Sequence, residues 1–149
     1  MTQVVASAER TIDAPADEVY EYLADTQLHS RLLPPPFYDF QVEQGVGTGS
    51  AIRFKINFAG GVRELRMKVT EPEPGRTLVQ ADTNGSGLVT TFTVTPQGER
   101  ALVNITSSFD GETGVAGFVE RIIAPPRLHR VYAEELTRLD GYAREQRAG

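Results

Sequence analysis

Few side chains in this sequence have types that do chemistry near neutral pH. His29 and His129 are the histidines, the side chains whose ordinary pKa lies there. As a general base, either needs a substrate proton within hydrogen-bond reach. Neither stands at ligand spacing from an acidic residue, so no metal site is expected. The chain has no cysteine, which removes disulfides, thiolate catalysis and cysteine-ligated metal and fits a reducing compartment. Arg63, Tyr132, Thr90 and Ser107 are the other polar candidates. Each shares the periodicity of apolar neighbours, so each can face a core.

Several motifs that suggest chemistry do not supply it. Gly45-Val46-Gly47-Thr48-Gly49 leads into a strand without a helix N-terminus or a lysine, so it is not a phosphate loop. Gly85-Ser86-Gly87 reads as a turn, not a nucleophile elbow. Glu18, Glu21, Glu134 and Glu135 are assigned to polar helix faces, where solvation explains them.

The elements that must position these residues follow from periodicity. From Pro125 to Gln146, Leu128, Val131, Tyr132, Leu136, Leu139 and Tyr142 recur with helical spacing, which predicts a long amphipathic helix. Arg127, Arg130, Glu134, Arg138 and Arg144 fill its other face. Val4 to Thr11 reads as a first strand. Pro15 opens a helix with Asp17 and Glu18 in its first turn, and a short second helix spans Gln27 to Leu33, ended by Pro34-Pro35-Pro36. From Phe37 the period becomes two. Tyr38, Phe40 and Val42 are assigned to one face. Ile52, Phe54, Ile56 and Phe58 alternate with charged or polar residues, as do Leu65, Met67 and Val69. Gly60-Gly61 and Pro74-Gly75 read as turns. Leu78 to Ala81, Thr90 to Val94 and Val103 to Phe109 complete an antiparallel meander. Phe118 and Ile122 belong to a glycine-punctuated stretch before the long helix.

Composition bounds the partners. The 149 residues carry a formal net charge of −5 and no basic run, so nucleic acid and anionic membrane are not expected partners. One domain, 1–149, is the default for this length. No apolar run is long enough to span a membrane. No secretory signal is read at the N-terminus, and a cytoplasmic location is expected.

The order of strand, two helices, six strands and long helix resembles the helix-grip fold of the START-like superfamily, which includes polyketide cyclase/dehydrase-like proteins. The resemblance rests on Ile12-Asp13-Ala14-Pro15-Ala16-Asp17-Glu18-Val19-Tyr20-Glu21-Tyr22-Leu23-Ala24-Asp25, on the Gly45 to Gly49 turn, and on Val69-Thr70-Glu71-Pro72-Glu73-Pro74-Gly75-Arg76. The family's Trp-Pro-x-Trp pattern is absent; His29-Ser30-Arg31-Leu32-Leu33-Pro34-Pro35-Pro36-Phe37 stands there instead. The resemblance implies an α+β fold, with a curved antiparallel sheet wrapped around the long C-terminal helix and an apolar cavity between them. It implies a small hydrophobic ligand, lipid or polyketide-like, and no cofactor; the fold itself names no activity.

On that fold Phe54, Ile56, Phe58, Leu65, Met67, Phe92, Ile105 and Phe109 face the helix, as plain core or as cavity lining. Phe118, Ile122 and Leu128 complete the apolar set. Thr90, Ser107 and Tyr132 are its expected polar members, and Tyr38 stands at the entrance. His29 is expected beside the cavity mouth. Arg63 either points inward to meet a ligand carboxylate or lies beyond the sheet rim, and the pattern favours the rim. The leading expectation is an intracellular binder or carrier of a hydrophobic molecule. The alternatives are a cyclase/dehydrase-like enzyme using His29, Arg63 or Tyr132, and a co-chaperone-like interaction module.

Overall fold

The computed structural model describes residues 2–35, 37–44, 48–58, 61–85, 87–110 and 125–148. Seven strands form one antiparallel sheet: β1 (Thr2–Ile12), β2 (Phe37–Gln44), β3 (Ala51–Phe58), β4 (Gly61–Glu73), β5 (Thr77–Asp82), β6 (Leu88–Gln97) and β7 (Arg100–Asp110). Strands β2 to β7 follow one another as hairpins, and β1 adds beside β7, giving the order β1-β7-β6-β5-β4-β3-β2. Two short helices, α1 (Ala16–Ala24) and α2 (His29–Leu32), link β1 to β2, and α3 (Pro125–Ala148) ends the chain. This is the expected α+β helix-grip architecture. The β4–β5 turn uses Gly75 at φ +88, a left-handed conformation that glycine adopts without steric cost.

Alternation sets the core face. In β6, Leu88, Thr90, Phe92 and Val94 are buried while the residues between them are not. Ile52, Phe54, Ile56, Leu65, Met67, Val103 and Ile105 extend that surface across the sheet, and Leu128, Val131, Tyr132, Leu136 and Leu139 cover it from α3. Fully burying a side chain of this size contributes about 1.5–3 kcal/mol, so this seam supplies much of what holds the fold.

Polar contacts fix the helix on the sheet at both ends. Near its start, His129 Nδ1 donates to the Ser7 carbonyl at 2.6 Å. Near its end, Asp140 accepts the Asp13 backbone N–H at 3.0 Å and pairs with Arg10 at 3.3 Å and Arg144 at 3.2 Å. Burial pushes the Asp140 carboxyl up, but the Asp13 N–H and the two arginines outweigh it and hold the group below the usual carboxylate value. Tyr142 packs edge-on against Tyr22 of α1 and carries Arg31 of α2 over its ring.

Strand β2 departs from simple alternation. Asp39 takes φ +58, and the pairing with β3 shifts between Tyr38 and Gln41. The extra residue of such a bulge breaks the period of two. Phe37 and Phe40 therefore both pack on Phe54, each with ring centroids 5.3 Å away. Tyr38 and Val42 turn outward, 36% and 39% exposed. This corrects the assignment of Tyr38, Phe40 and Val42 to one face.

Candidate functional site

Between the sheet and α3 lies a small cavity. Its apolar walls are Leu33, Phe37, Phe54, Met67, Leu88 and Phe92, and its polar members are Gln80, Thr90, Tyr132 and Glu135. The space for water-molecule centres is about 20 Å³, room for about one water. Aromatic rings from β2, β3 and β6, those of Phe37, Phe54 and Phe92, stand in its wall. Larger hollows, about 210 Å³ beside Arg66 and Lys68 and about 330 Å³ beside Pro34 and Arg127, have charged side chains in their walls. Its lining singles out the inner cavity, since every lining residue but Leu33 is buried.

The polar members come from register. Gln80 of β5 pairs with Thr90 of β6, and Thr90 with Ser107 of β7. The three form a row across the concave face beneath α3, all buried. Thr90 and Ser107 hydroxyls bond at 2.8 Å, and the Tyr132 hydroxyl bonds to Ser107 and, at 3.4 Å, to Thr90. Burial pushes the Tyr132 phenol up to about 12, despite the opposing effect of the two hydroxyls. Tyr132 is thus a neutral donor and acceptor across the physiological range.

Glu135 stands one turn further along α3 and is 2% exposed. Its assignment to a polar helix face is wrong. It lies at i+3 from Tyr132 and i+4 from Val131, inside the apolar stripe, and that spacing was the signal that could have found it. Burial alone pushes its carboxyl up to about 8, so at neutral pH it is largely the protonated acid. Glu135 Oε2 and Gln80 Nε2 are buried without a hydrogen-bond partner among the described residues, and both side chains line the cavity. An unpaired buried polar group costs roughly 1–3 kcal/mol.

The other expected residues divide. Phe54, Met67, Thr90, Phe92 and Tyr132 line the cavity. Ile56, Leu65, Ile105, Ser107 and Leu128 are buried around it. Leu33, Phe37, Gln80, Leu88 and Glu135 join the lining without having been expected there. Tyr38 does not reach it, for the bulge turns it to the outside. The Phe58 and Phe109 side chains, and Phe118 and Ile122 altogether, lie outside what the structure describes.

His29 is not at a mouth. It is 0% exposed and edge-on to Phe92, with ring centroids 5.7 Å apart. Its Nε2–H donates to the Leu23 carbonyl at 2.7 Å. Burial lowers its pKa, against the raising effects of the Leu23 carbonyl and Asp25. The neutral ring is a packing element of α2 set against Phe92, and its Nδ1 is buried without a hydrogen-bond partner among the described residues. Arg63 is held at the rim, where Nη2 donates to the Asn84 carbonyl at 3.1 Å.

The family profile described as polyketide cyclase / dehydrase and lipid transport matches residues 3–144. The chain belongs to this family. No curated protein matches it in sequence. Among solved structures, the KanY protein aligns with a TM-score of 0.82 at 26% identity, over 97% of this chain and 99% of its own. The ZhuI aromatase/cyclase from Streptomyces sp. R1128 gives 0.70 at 19% identity, over 100% and 97%. A point mutant of Thalictrum flavum norcoclaurine synthase, in complex with a transition-state analogue, gives 0.70 at 17%, over 99% and 97%. The latter two likenesses establish the shared fold.

Proposed function

We propose that the protein binds a small, mainly apolar molecule in the cavity between the sheet and α3. The observation that carries this reading is the placing of Gln80 Nε2 and Glu135 Oε2, buried and without a hydrogen-bond partner among the described residues, within a wall of aromatic and aliphatic side chains. Ligand sites combine such walls with a few placed polar groups. The family's description and the aromatase/cyclase likeness support it. The cavity has room for about one water, so a larger molecule requires its aromatic side chains to move apart. Native mass spectrometry of the freshly purified protein tests for a co-purified molecule. Heating scans against lipids, sterols and aromatic polyketides test for stabilisation, about 2.7 kcal/mol at 100 times the dissociation constant. That corresponds to a shift of about 5–10 °C for a chain of this size. No co-purified molecule and no shift across these classes would count against the reading.

One observation favours catalysis as a second reading. A carboxyl poised near neutral pH in a small cavity is suited to moving protons. Glu135, rather than His29 or Arg63, is then the group that would serve a cyclase/dehydrase-like reaction. Turnover of an aromatic polyketide intermediate that falls about 10²–10⁴-fold in Glu135→Gln, with binding kept, would establish it.

A further inference from the structure

We propose that the cavity selects ligands whose polar end is a neutral carbonyl, received by the Gln80 amide and the Glu135 carboxylic acid. The inference rests on the binder reading above and names the ligand's chemistry.

It begins with the charges that face the cavity. Among the described residues no lysine, arginine or histidine lines it, and the titratable members are Tyr132 and Glu135, both on α3. The residues contributed by β2 to β6 and by Leu33 are uncharged. A ligand carboxylate would enter beside a carboxyl group with no counter-cation, and burying an unpaired charge is costly. An ammonium head would need Glu135 ionised and would set its N–H groups against the Gln80 N–H, a donor facing a donor.

The remaining donors decide the head group. The Tyr132, Thr90 and Ser107 hydroxyls bond to one another. Gln80 Nε2 and Glu135 Oε2 have no such partner among the described residues. An amide N–H and a protonated carboxyl both donate, and a carbonyl oxygen has two lone pairs to accept them. The burial that keeps Glu135 protonated at neutral pH, with its carboxyl pushed up to about 8, supplies the second donor. As pH rises past that value the donor is lost and an acceptor replaces it.

Four probes on one bicyclic frame test the inference with the full chain: 2-acetylnaphthalene, 2-ethylnaphthalene, 2-naphthoate and 2-naphthylmethylammonium. Dissociation constants are measured by titration from pH 6 to pH 9. The ketone is expected to bind about tenfold more tightly than the ethyl compound at pH 6, ahead of both charged probes, and to weaken above about pH 8. Glu135→Leu and Gln80→Leu should each reduce that preference towards none. Glu135→Gln keeps a neutral donor, so it should keep the preference and lose the pH dependence. A carboxylate or ammonium probe binding as tightly as the ketone, or a ketone no tighter than the ethyl compound, overturns the carbonyl inference while leaving the cavity a binding site. Failure of all four probes to bind overturns the binder reading, and the inference with it.

Discussion

Tyr132 and Glu135 stand one helical turn apart on α3, and both line the same cavity over the sheet. Burial is met differently at the two positions. The Tyr132 hydroxyl is answered by Ser107 and Thr90, whereas Glu135 Oε2 is unanswered among the described residues. Tyr132 ties the helix to the Thr90–Ser107 pair across the seam. In the reading proposed above, Glu135 is left for a ligand.

Tyr132→Phe keeps the ring and removes one hydroxyl. Thr90 and Ser107 still bond each other, so the expected loss of stability is about 1 kcal/mol, or roughly 2–4 °C in melting temperature. Thermal denaturation followed by circular dichroism checks it. A loss several times larger would mean that the hydroxyl organises more than this one contact.

Glu135 makes stability depend on pH. Its folded value, about 8, lies above the ordinary carboxyl value. Between the two, the folded state holds a proton that the unfolded state has released, so stability falls as pH rises through that window. The cost reaches about 3 kcal/mol by pH 7. Glu135→Gln removes it. Urea denaturation should find the variant more stable than the wild type at pH 7 to 8 and nearly equal at pH 4. Parallel stability curves would contradict the burial argument.

Asp140 contributes with the opposite sign. Its folded value is depressed, so its stabilisation is present above the unfolded carboxyl value and is lost as pH falls through the folded one. Asp140→Asn weakens the bonds to the Asp13 N–H, Arg10 and Arg144 and should cost roughly 1–3 kcal/mol at pH 7. The difference from the wild type should shrink in acid. A cost that does not change with pH would point to packing rather than charge.

His29→Ala opens a hole beside Phe92 and frees the Leu23 carbonyl. The expected cost is about 2–4 kcal/mol in stability, with ligand affinity of the folded protein nearly unchanged. Reduced affinity at a temperature where the variant is fully folded would return His29 to the site.

How much of this was legible in the sequence depended on the kind of signal. Periodicity gave the strands and the long helix, because apolar alternation at Phe54, Leu65 and Phe92 and helical spacing at Leu128 to Leu139 reflect burial directly. It also placed Thr90, Ser107 and Tyr132 inward, though not as bonded partners. Gln80 lies two residues from buried Leu78 on one face of β5, a period of two that marks it inward despite its polar type, while its alignment with Thr90 is a property of strand register. Tyr38 and Phe37 exchanged places because the bulge at Asp39 shifts parity by one. Glu135 and His29 were misplaced for a common reason. Polar types were assigned to solvent or to a mouth, yet each stands where its neighbours' spacing demands burial. The Glu135 spacing, three residues from Tyr132 and four from Val131, marks a buried position that its chemical type conceals.

Met67 reports most directly on whether ligands enter the cavity between sheet and helix. The chain has two methionines, Met1 and Met67, and Met67 lines the cavity with Phe37, Phe54 and Phe92. Labelling the methionine methyl groups with carbon-13 therefore gives a two-signal spectrum, with the Met67 methyl close to aromatic walls. When 2-acetylnaphthalene is titrated in, the Met67 signal should move in step with the bound fraction measured from the ligand's own signals. Binding that saturates while the Met67 signal stays still would place the ligand elsewhere and contradict the account.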